Sequence, residues 1–162
     1  MSQVEITGYV PGAIGRIAEL HGLYYSRDWA FGKFFEAKVA TELAEFVSRL
    51  DESQDGLWTV CLENRVQGAI AIDGIKARID AAHLRWFILS TSLKGRGIGN
   101  QLLGRALGFC REKAYKKVFL WTFQGLDTAR HLYEKHGFDL AEEHKGSQWG
   151  TTVIEQKFIL EL

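Results

Sequence analysis

Apolar residues along this chain change their spacing several times, and each change marks an element. Residues 3–10 alternate loosely, which predicts a first strand. Pro11 then opens a helix, because proline suits a first helical position. Ile14, Ile17, Ala18 and Leu20 supply its apolar stripe, and Gly22 weakens its end. Residues 24–31 form an aromatic-rich junction containing Tyr24, Tyr25, Trp29 and Phe31. Residues 31–50 predict a second helix, with Phe35, Val39, Leu43, Phe46, Val47 and Leu50 on one face. A polar break at 51–56 precedes two strands, 57–62 and 66–72, which read as a hairpin around Glu63, Asn64 and Arg65. Asp73-Gly74 is a further turn signal. Residues 83–89 are a strongly apolar strand. Residues 97–115 form a helix that turns Ile98, Leu102, Leu103, Ala106, Leu107, Cys110 and Ala114 inward. A buried strand at 118–123 leads to a short helix, N-capped by Asp127 and closed by Gly137. Residues 138–143 and 151–160 close the chain as a hairpin. The order β-α-α-β-β-β-α-β-α-β-β gives an α/β class (α+β, one mixed sheet), with two strand–helix–strand crossovers in its second half.

Composition narrows the picture. A length of 162 residues suits one domain, spanning 1–162, with a substantial core. Apolar residues at 46% and charged residues at 25% are values of a folded chain, which excludes a disordered one. No run of about 18 apolar residues is present, so no spanning helix is expected. Residues 1–5 show no leader pattern, and a cytoplasmic location is the expectation. Cys61 and Cys110 form no CxxC pair and read as free thiols.

The charge balance is 20 basic against 20 acidic residues, which excludes a global nucleic-acid-binding surface. Its distribution is uneven. Residues 94–117 are basic but for Glu112, while residues 36–63 are acidic but for Lys38 and Arg49. The first region suits an anion and the second tolerates a cation, unless both are simply solvated helix faces.

The most informative stretch is Lys94-Gly95-Arg96-Gly97-Ile98-Gly99-Asn100. Three alternate glycines between a buried strand and an amphipathic helix let backbone N–H groups converge. The helix N-terminus adds its own unpaired N–H groups and its positive dipole end, and together these make an anion site. It is not a Walker A loop, since Gly99 is followed by Asn100. The dinucleotide pattern G-x-G-x-x-G fails in both registers, meeting Asn100 and Leu102.

These residues resemble the coenzyme A signature of the GNAT acetyltransferase superfamily, Arg/Gln-x-x-Gly-x-Gly/Ala, with Lys94 keeping the charge of arginine. Leu132-Tyr133-Glu134-Lys135-His136-Gly137-Phe138 resembles the family's second signature, at a separation of one helix and one strand. Leu126 stands where the family usually carries asparagine. The segments 125–133 and 148–152 are similar to the acetyltransferase half of proteins that fuse a MarR-type DNA-binding domain to a GNAT domain. The resemblance spans roughly residues 57–160. It implies a GNAT-like fold and acetyl-coenzyme A as cosubstrate. The pyrophosphate would lie on the amides of 94–100, and the pantetheine arm along Phe87, Ile88 and Leu89. Asp127 and Arg130, at the start of the last helix, are placed at the same coenzyme site.

Acetyl transfer from a thioester to an amine needs a neutral amine, a polarised carbonyl and a stabilised leaving thiolate. No covalent enzyme intermediate is required, so neither cysteine is wanted as a nucleophile. The resemblance makes Tyr133 the general acid near the coenzyme sulfur. A phenol with an ordinary pKa of about 10 is protonated at neutral pH and can donate. A main-chain N–H near Leu89, where the strands splay, would polarise the carbonyl. For the base, His83 opens the strand that leads to the turn. Glu63 or Asp73, acting through water, are alternatives. Arg85 shares the His83 face and could bind a substrate carboxylate. Tyr24, Tyr25 and Trp29, with His21, Phe31, Phe35, Glu36 and Trp149 nearby, would wall the acceptor pocket. No metal site is expected, since His131 and His136 lack zinc spacing. Two functions follow: an enzyme acetylating a small-molecule amine or a lysine side chain, or a non-catalytic acyl-CoA-sensing or partner-binding domain. Homodimerisation is common among such domains.

Overall fold

The computed structural model describes residues 3–162. Met1 and Ser2, read above with residues 3–5 for a leader, lie outside the described residues. The elements are β1 Val4–Thr7, α1 Ala13–Trp29, α2 Lys33–Ser48, β2 Gly56–Leu62, β3 Arg65–Asp73, β4 Ala82–Leu89, α3 Ile98–Glu112, β5 Lys117–Phe123, α4 Asp127–Lys135, β6 Asp139–Gly146 and β7 Val153–Glu161. A single 3-10 turn, Thr91–Leu93, joins β4 to the glycine turn. The order is the one the apolar pattern predicts. No helix among the described residues is long and apolar enough to cross a membrane.

All seven strands form one sheet in the order β1-β2-β3-β4-β5-β7-β6. Only β4 and β5 run parallel, and they pair at just two positions, Ala82 with Val118 and His83 with Phe119. Beyond those pairs β4 stays bound to β3 and β5 to β7, so the sheet opens into a V. The core is a layer on each face. On one side Leu102, Leu103 and Ala106 of α3 and Tyr133 of α4 pack on Ile70, Leu84, Leu120 and Phe158. On the other, Ile17 and Leu20 of α1 and Leu43 and Phe46 of α2 pack on Ala69, Ala71 and Ile88. A third cluster joins Phe31, Phe35 and Val39 to Phe123 of β5, reaching across the V.

Three boundaries differ from the sequence expectation. Helix α1 runs through Gly22 and the aromatic segment to Trp29, and ends where Ala30 takes φ 56°. Gly22 is therefore a crossing point: a Cβ there would lie 2.5 Å from the Glu36 carboxylate of α2. Pro11 precedes the helix, whose N-cap is Gly12 with φ 89°. Asp127 is the first helical residue of α4; the cap is Leu126, without a side-chain hydrogen bond.

The aromatic side chain of Phe158, in β7, is fully buried between the sheet and α4. Phe158→Ala removes it from a packed core and is expected to cost about 3–5 kcal/mol, measured as a lowered midpoint in urea unfolding.

Candidate functional site

The V between β4 and β5 opens into a cavity of about 770 Å³. Successive residues of a strand turn their peptide groups to opposite edges, and from Leu84 onward one edge of β4 faces no strand. Residues 84–89 all line the cavity. Midway the strand bulges: Ala69 pairs with Ile88 and Ala71 with Arg85, so Trp86 and Phe87 together oppose Ile70. Trp86 takes φ 50°, a left-handed conformation unusual for a bulky side chain. Such a residue costs about 1–3 kcal/mol and persists because its surroundings hold it. Its ring is held against Phe46 at 5.4 Å and under the Arg85 guanidinium at 4.1 Å.

At the mouth of the V, the chain turns into α3. Gly95 and Gly97 have φ 77° and 73°, which explains the glycines; a Cβ at either would meet nothing within 4 Å. Gly99 serves close approach instead, since a Cβ there would lie 3.3 Å from Leu89 and 3.4 Å from Leu132. Among the described residues, the N–H groups of Gly95, Arg96 and Gly97 make no backbone hydrogen bond. Those of Ile98, Gly99 and Asn100 belong to the first turn of α3, where no carbonyl precedes them. Six consecutive unpaired amides at a helix N-terminus are an arrangement suited to an anion.

Tyr133 sits at the base of the V, 7% exposed, beside Phe87 at 6.1 Å and Phe138 at 5.9 Å. Its hydroxyl has no hydrogen-bond partner among the described residues, and the residue lines the cavity. Burial pushes the phenol pKa well above its ordinary value, so it stays protonated. Burial, and then the nearby Tyr133 phenol, does the same to Tyr25.

His83 also lines the cavity, stacked on Phe119 at 4.3 Å and opposite Asp73 in the sheet. Burial, then the Arg85 charge, pushes its pKa down to about 3, against a smaller opposing pull from Asp73. The imidazole is therefore neutral. It can accept a hydrogen bond but has little hold on a proton.

Arg85 shares this face, as expected, but its charge is already engaged. It bonds Glu42 of α2 and lies 3.7 Å from Asp73. Glu42 also holds Lys38 at 2.5 Å. Asp73 is buried against Arg49 at 2.7 Å. Glu63 lies in the β2–β3 turn and lines a different hollow with Cys61 and Val4, so it is not placed to reach this cavity.

The sequence of residues 15–138 matches the profile of the Acetyltransferase (GNAT) family. The chain belongs to that family. This GNAT chain is 24% identical over 129 residues to an uncharacterized N-acetyltransferase of Methanocaldococcus jannaschii, a stretch covering 76% of this chain. It spans 57% of that relative's length. Among solved structures it resembles a GNAT-family acetyltransferase of Staphylococcus aureus (TM-score 0.77, 13% identity, 99% of each chain). It also resembles a Salmonella typhimurium protein solved with its cofactor acetyl-CoA (TM-score 0.75, 14% identity, 98% of this chain and 94% of that one).

The GNAT cavity gathers most of the residues singled out from the sequence. Phe87, Ile88, Leu89, Lys94, Gly95, Gly97, Ile98, Gly99 and Asp127 line it, as do Tyr24, Tyr25, His83, Arg85 and Tyr133. Four others lie outside its lining. The Arg96 side chain is exposed, between two glycines that line the wall. Asn100 is bonded to the His136 ring at 2.7 Å. Arg130 sits 3.5 Å from Glu134 and over the Phe158 ring. Trp29 forms a second layer, edge-on to Phe123 at 4.9 Å. Phe31 is likewise buried behind Tyr25, and Glu36 lies against Gly22. The sequence reading missed Glu42, Lys38 and Trp86. The first two sit on a helix face indistinguishable from a solvated one, and the third is defined by a bulge whose register needs β3. Among the described residues no group of three or more His, Cys, Asp or Glu could hold a metal.

Two histidines lining the cavity set an acid limit on stability. His21 is pushed down to about 4 and His83 to about 3, both chiefly by burial. Both pKa values lie below the unfolded value of about 6.5, so the unfolded chain binds more protons as pH falls below it. Stability is complete above about 6.5 and declines on acidification. Urea unfolding at about pH 7 and about pH 5 is expected to show this loss, and replacing both histidines with phenylalanine is expected to shrink it.

Proposed function

We propose that this GNAT domain transfers an acetyl group from acetyl-CoA to a primary amine, of a small molecule or a lysine side chain, by direct attack in a ternary complex. The observation that carries the reading is the junction of three features in one cavity: the turn of unpaired amides, the open edge of β4 and the buried Tyr133 hydroxyl. The amides of 95–100, with Lys94, would hold the pyrophosphate. The open edge of β4 at Phe87, Ile88 and Leu89 would hydrogen-bond the pantetheine amides as a further strand would. The family relationship and the acetyl-CoA bound to the Salmonella typhimurium protein support this cosubstrate. Leu126 and Asp127 would flank the arm at the start of α4, and Leu126 replaces a polar contact with an apolar one.

In the reaction, the amine lone pair attacks the thioester carbonyl. The oxygen that becomes negative takes a hydrogen bond from a β4 amide near the bulge. The C–S bond breaks, Tyr133 donates its proton to the leaving thiolate, and the proton shed by the newly acylated nitrogen passes through solvent to restore the phenol. A phenol kept protonated by burial suits that donation. His83 accepts a hydrogen bond from the incoming amine and, being neutral, does not oppose a cationic substrate. It does not store the proton, because its own basicity is too low. The amine therefore reacts through its free-base fraction, about 0.04% at pH 7 for an alkylamine of pKa about 10.4.

Three outcomes are expected. Calorimetry should show acetyl-CoA binding by the unaltered protein, lost in Gly97→Trp, whose indole fills the open space beside the turn, with circular dichroism confirming the fold. Absence of binding to the unaltered protein would refute the transferase reading. Tyr133→Phe should lower kcat by about 10²-fold while coenzyme Kd changes little; a weakened Kd with unchanged kcat would remove Tyr133 from the acid role. kcat/KM for the amine should rise about tenfold per pH unit below the amine pKa, without an inflection near the ordinary imidazole value of about 6.5.

A further inference from the structure

The arm of the cavity walled by α1, α2 and the end of β5 is rich in aromatic side chains. Tyr24, Tyr25, Phe35, Trp86, Phe123 and Trp149 all line it. They hold one another in place, with Tyr25 at 5.0 Å from Phe35 and Phe123 at 5.7 Å from Trp149. Tyr25 and Tyr133 line the same cavity, so these rings and the candidate acid face one space.

Charge in the arm is spent internally. Glu42 of α2 lines it, and Lys38 and Arg85 both bond its carboxylate; Asp127, which opens α4, is the other acidic residue of the cavity lining. A ligand carrying several ammonium groups would find the Glu42 carboxylate already shared by two cations. One ammonium or amine can be accommodated on the aromatic faces; a polycation cannot be neutralised.

His21 presents a further polar atom to the cavity. His21, on α1, is 6% exposed and lines the cavity. Its Nδ1 lies 2.8 Å from the Ile17 carbonyl. A carbonyl only accepts, so Nδ1 carries the proton and Nε2 of the neutral ring presents a lone pair. That nitrogen has no partner among the described residues. It opens into the cavity and is free to accept a hydrogen bond from a ligand there.

We propose that this arm selects a monoamine carried on an aromatic or similarly flat apolar body, with His21 Nε2 accepting a hydrogen bond from it, and that it discriminates against polyamines and lysine-rich peptides. The inference rests on the transferase reading above and names the acceptor class for the same site. The flat body would stack among the six rings, and the amine would reach past Tyr25 towards the thioester.

The test is a substrate panel for the unaltered protein, following coenzyme A thiol release with phenethylamine, tryptamine, spermidine and a lysine-rich peptide. The expected result is a kcat/KM for an arylalkylamine at least about tenfold above the polycations, since one tenfold step corresponds to about 1.4 kcal/mol. His21→Leu is expected to raise the arylalkylamine KM by about three- to tenfold, the effect of one lost hydrogen bond, with coenzyme Kd unchanged. Turnover of spermidine or the peptide above both arylalkylamines would overturn the proposal and leave the transferase reading intact. So would acetyl-CoA binding without arylalkylamine turnover. An unchanged KM in His21→Leu would remove His21 from the proposal's recognition step. Failure of the unaltered protein to bind acetyl-CoA, measured separately by calorimetry, would overturn both readings.

Discussion

Everything at the site depends on the parallel pairing of β4 and β5 stopping after two residues. Ala82 and His83 bind β5, and Leu84 onward does not. The separation is enforced from both sides, because β3 continues to hold β4 while β7 continues to hold β5. An unpaired strand edge in a protein interior would normally be costly, since each buried peptide group seeks a partner. Here the edge borders a cavity, and its amides and carbonyls become the wall of a binding site. The same opening gives the first turn of α3 a space to face and gives Tyr133 a route to a ligand from an otherwise buried position.

The bulge at Trp86 refines that edge. One extra residue against Ile70 shifts the strand's phase, so that the alternation of His83 and Arg85 does not continue through Phe87 and Leu89. The strain of φ 50° at a tryptophan is held by Phe46 behind it and Arg85 above it. The Arg85 that steadies Trp86 is also the cation that neutralises Glu42 and helps to keep His83 uncharged. Strand geometry, aromatic packing and electrostatics are thus linked through one side chain. Arg85 acts as part of the wall, and its charge is not left for a ligand.

The division between legible and hidden features follows physical range. Local features were legible. The glycines of 95, 97 and 99 interrupt an apolar strand and open an amphipathic helix, and the fold gives each a specific reason, φ at two and close approach at the third. The Leu132–Phe138 motif located Tyr133, and the order of elements followed from apolar spacing alone. Where short-range reasoning failed, a partner distant in sequence had intervened. Gly22 signals a helix end by propensity, yet it is the contact point at which Glu36 crosses α1. Arg130 and Asn100 lie beside the motifs, and the contacts of their side chains with Phe158 and His136 could likewise be seen only in the fold.

By itself, then, the chain determined its elements, the glycine turn and the position of the candidate acid, because these follow from periodicity, from glycine's freedom and from spacing within a few residues. Tertiary structure decided which groups share the cavity and in what charge state. The pairing of Arg85 with Glu42 spans 43 positions, and the depressed basicity of His83 arises from burial that only the assembled sheet provides. Charge pairing and desolvation are properties of position in space. Sequence neighbours do not record them, and so the acceptor arm became readable only once α1, α2 and the splayed strands were brought together.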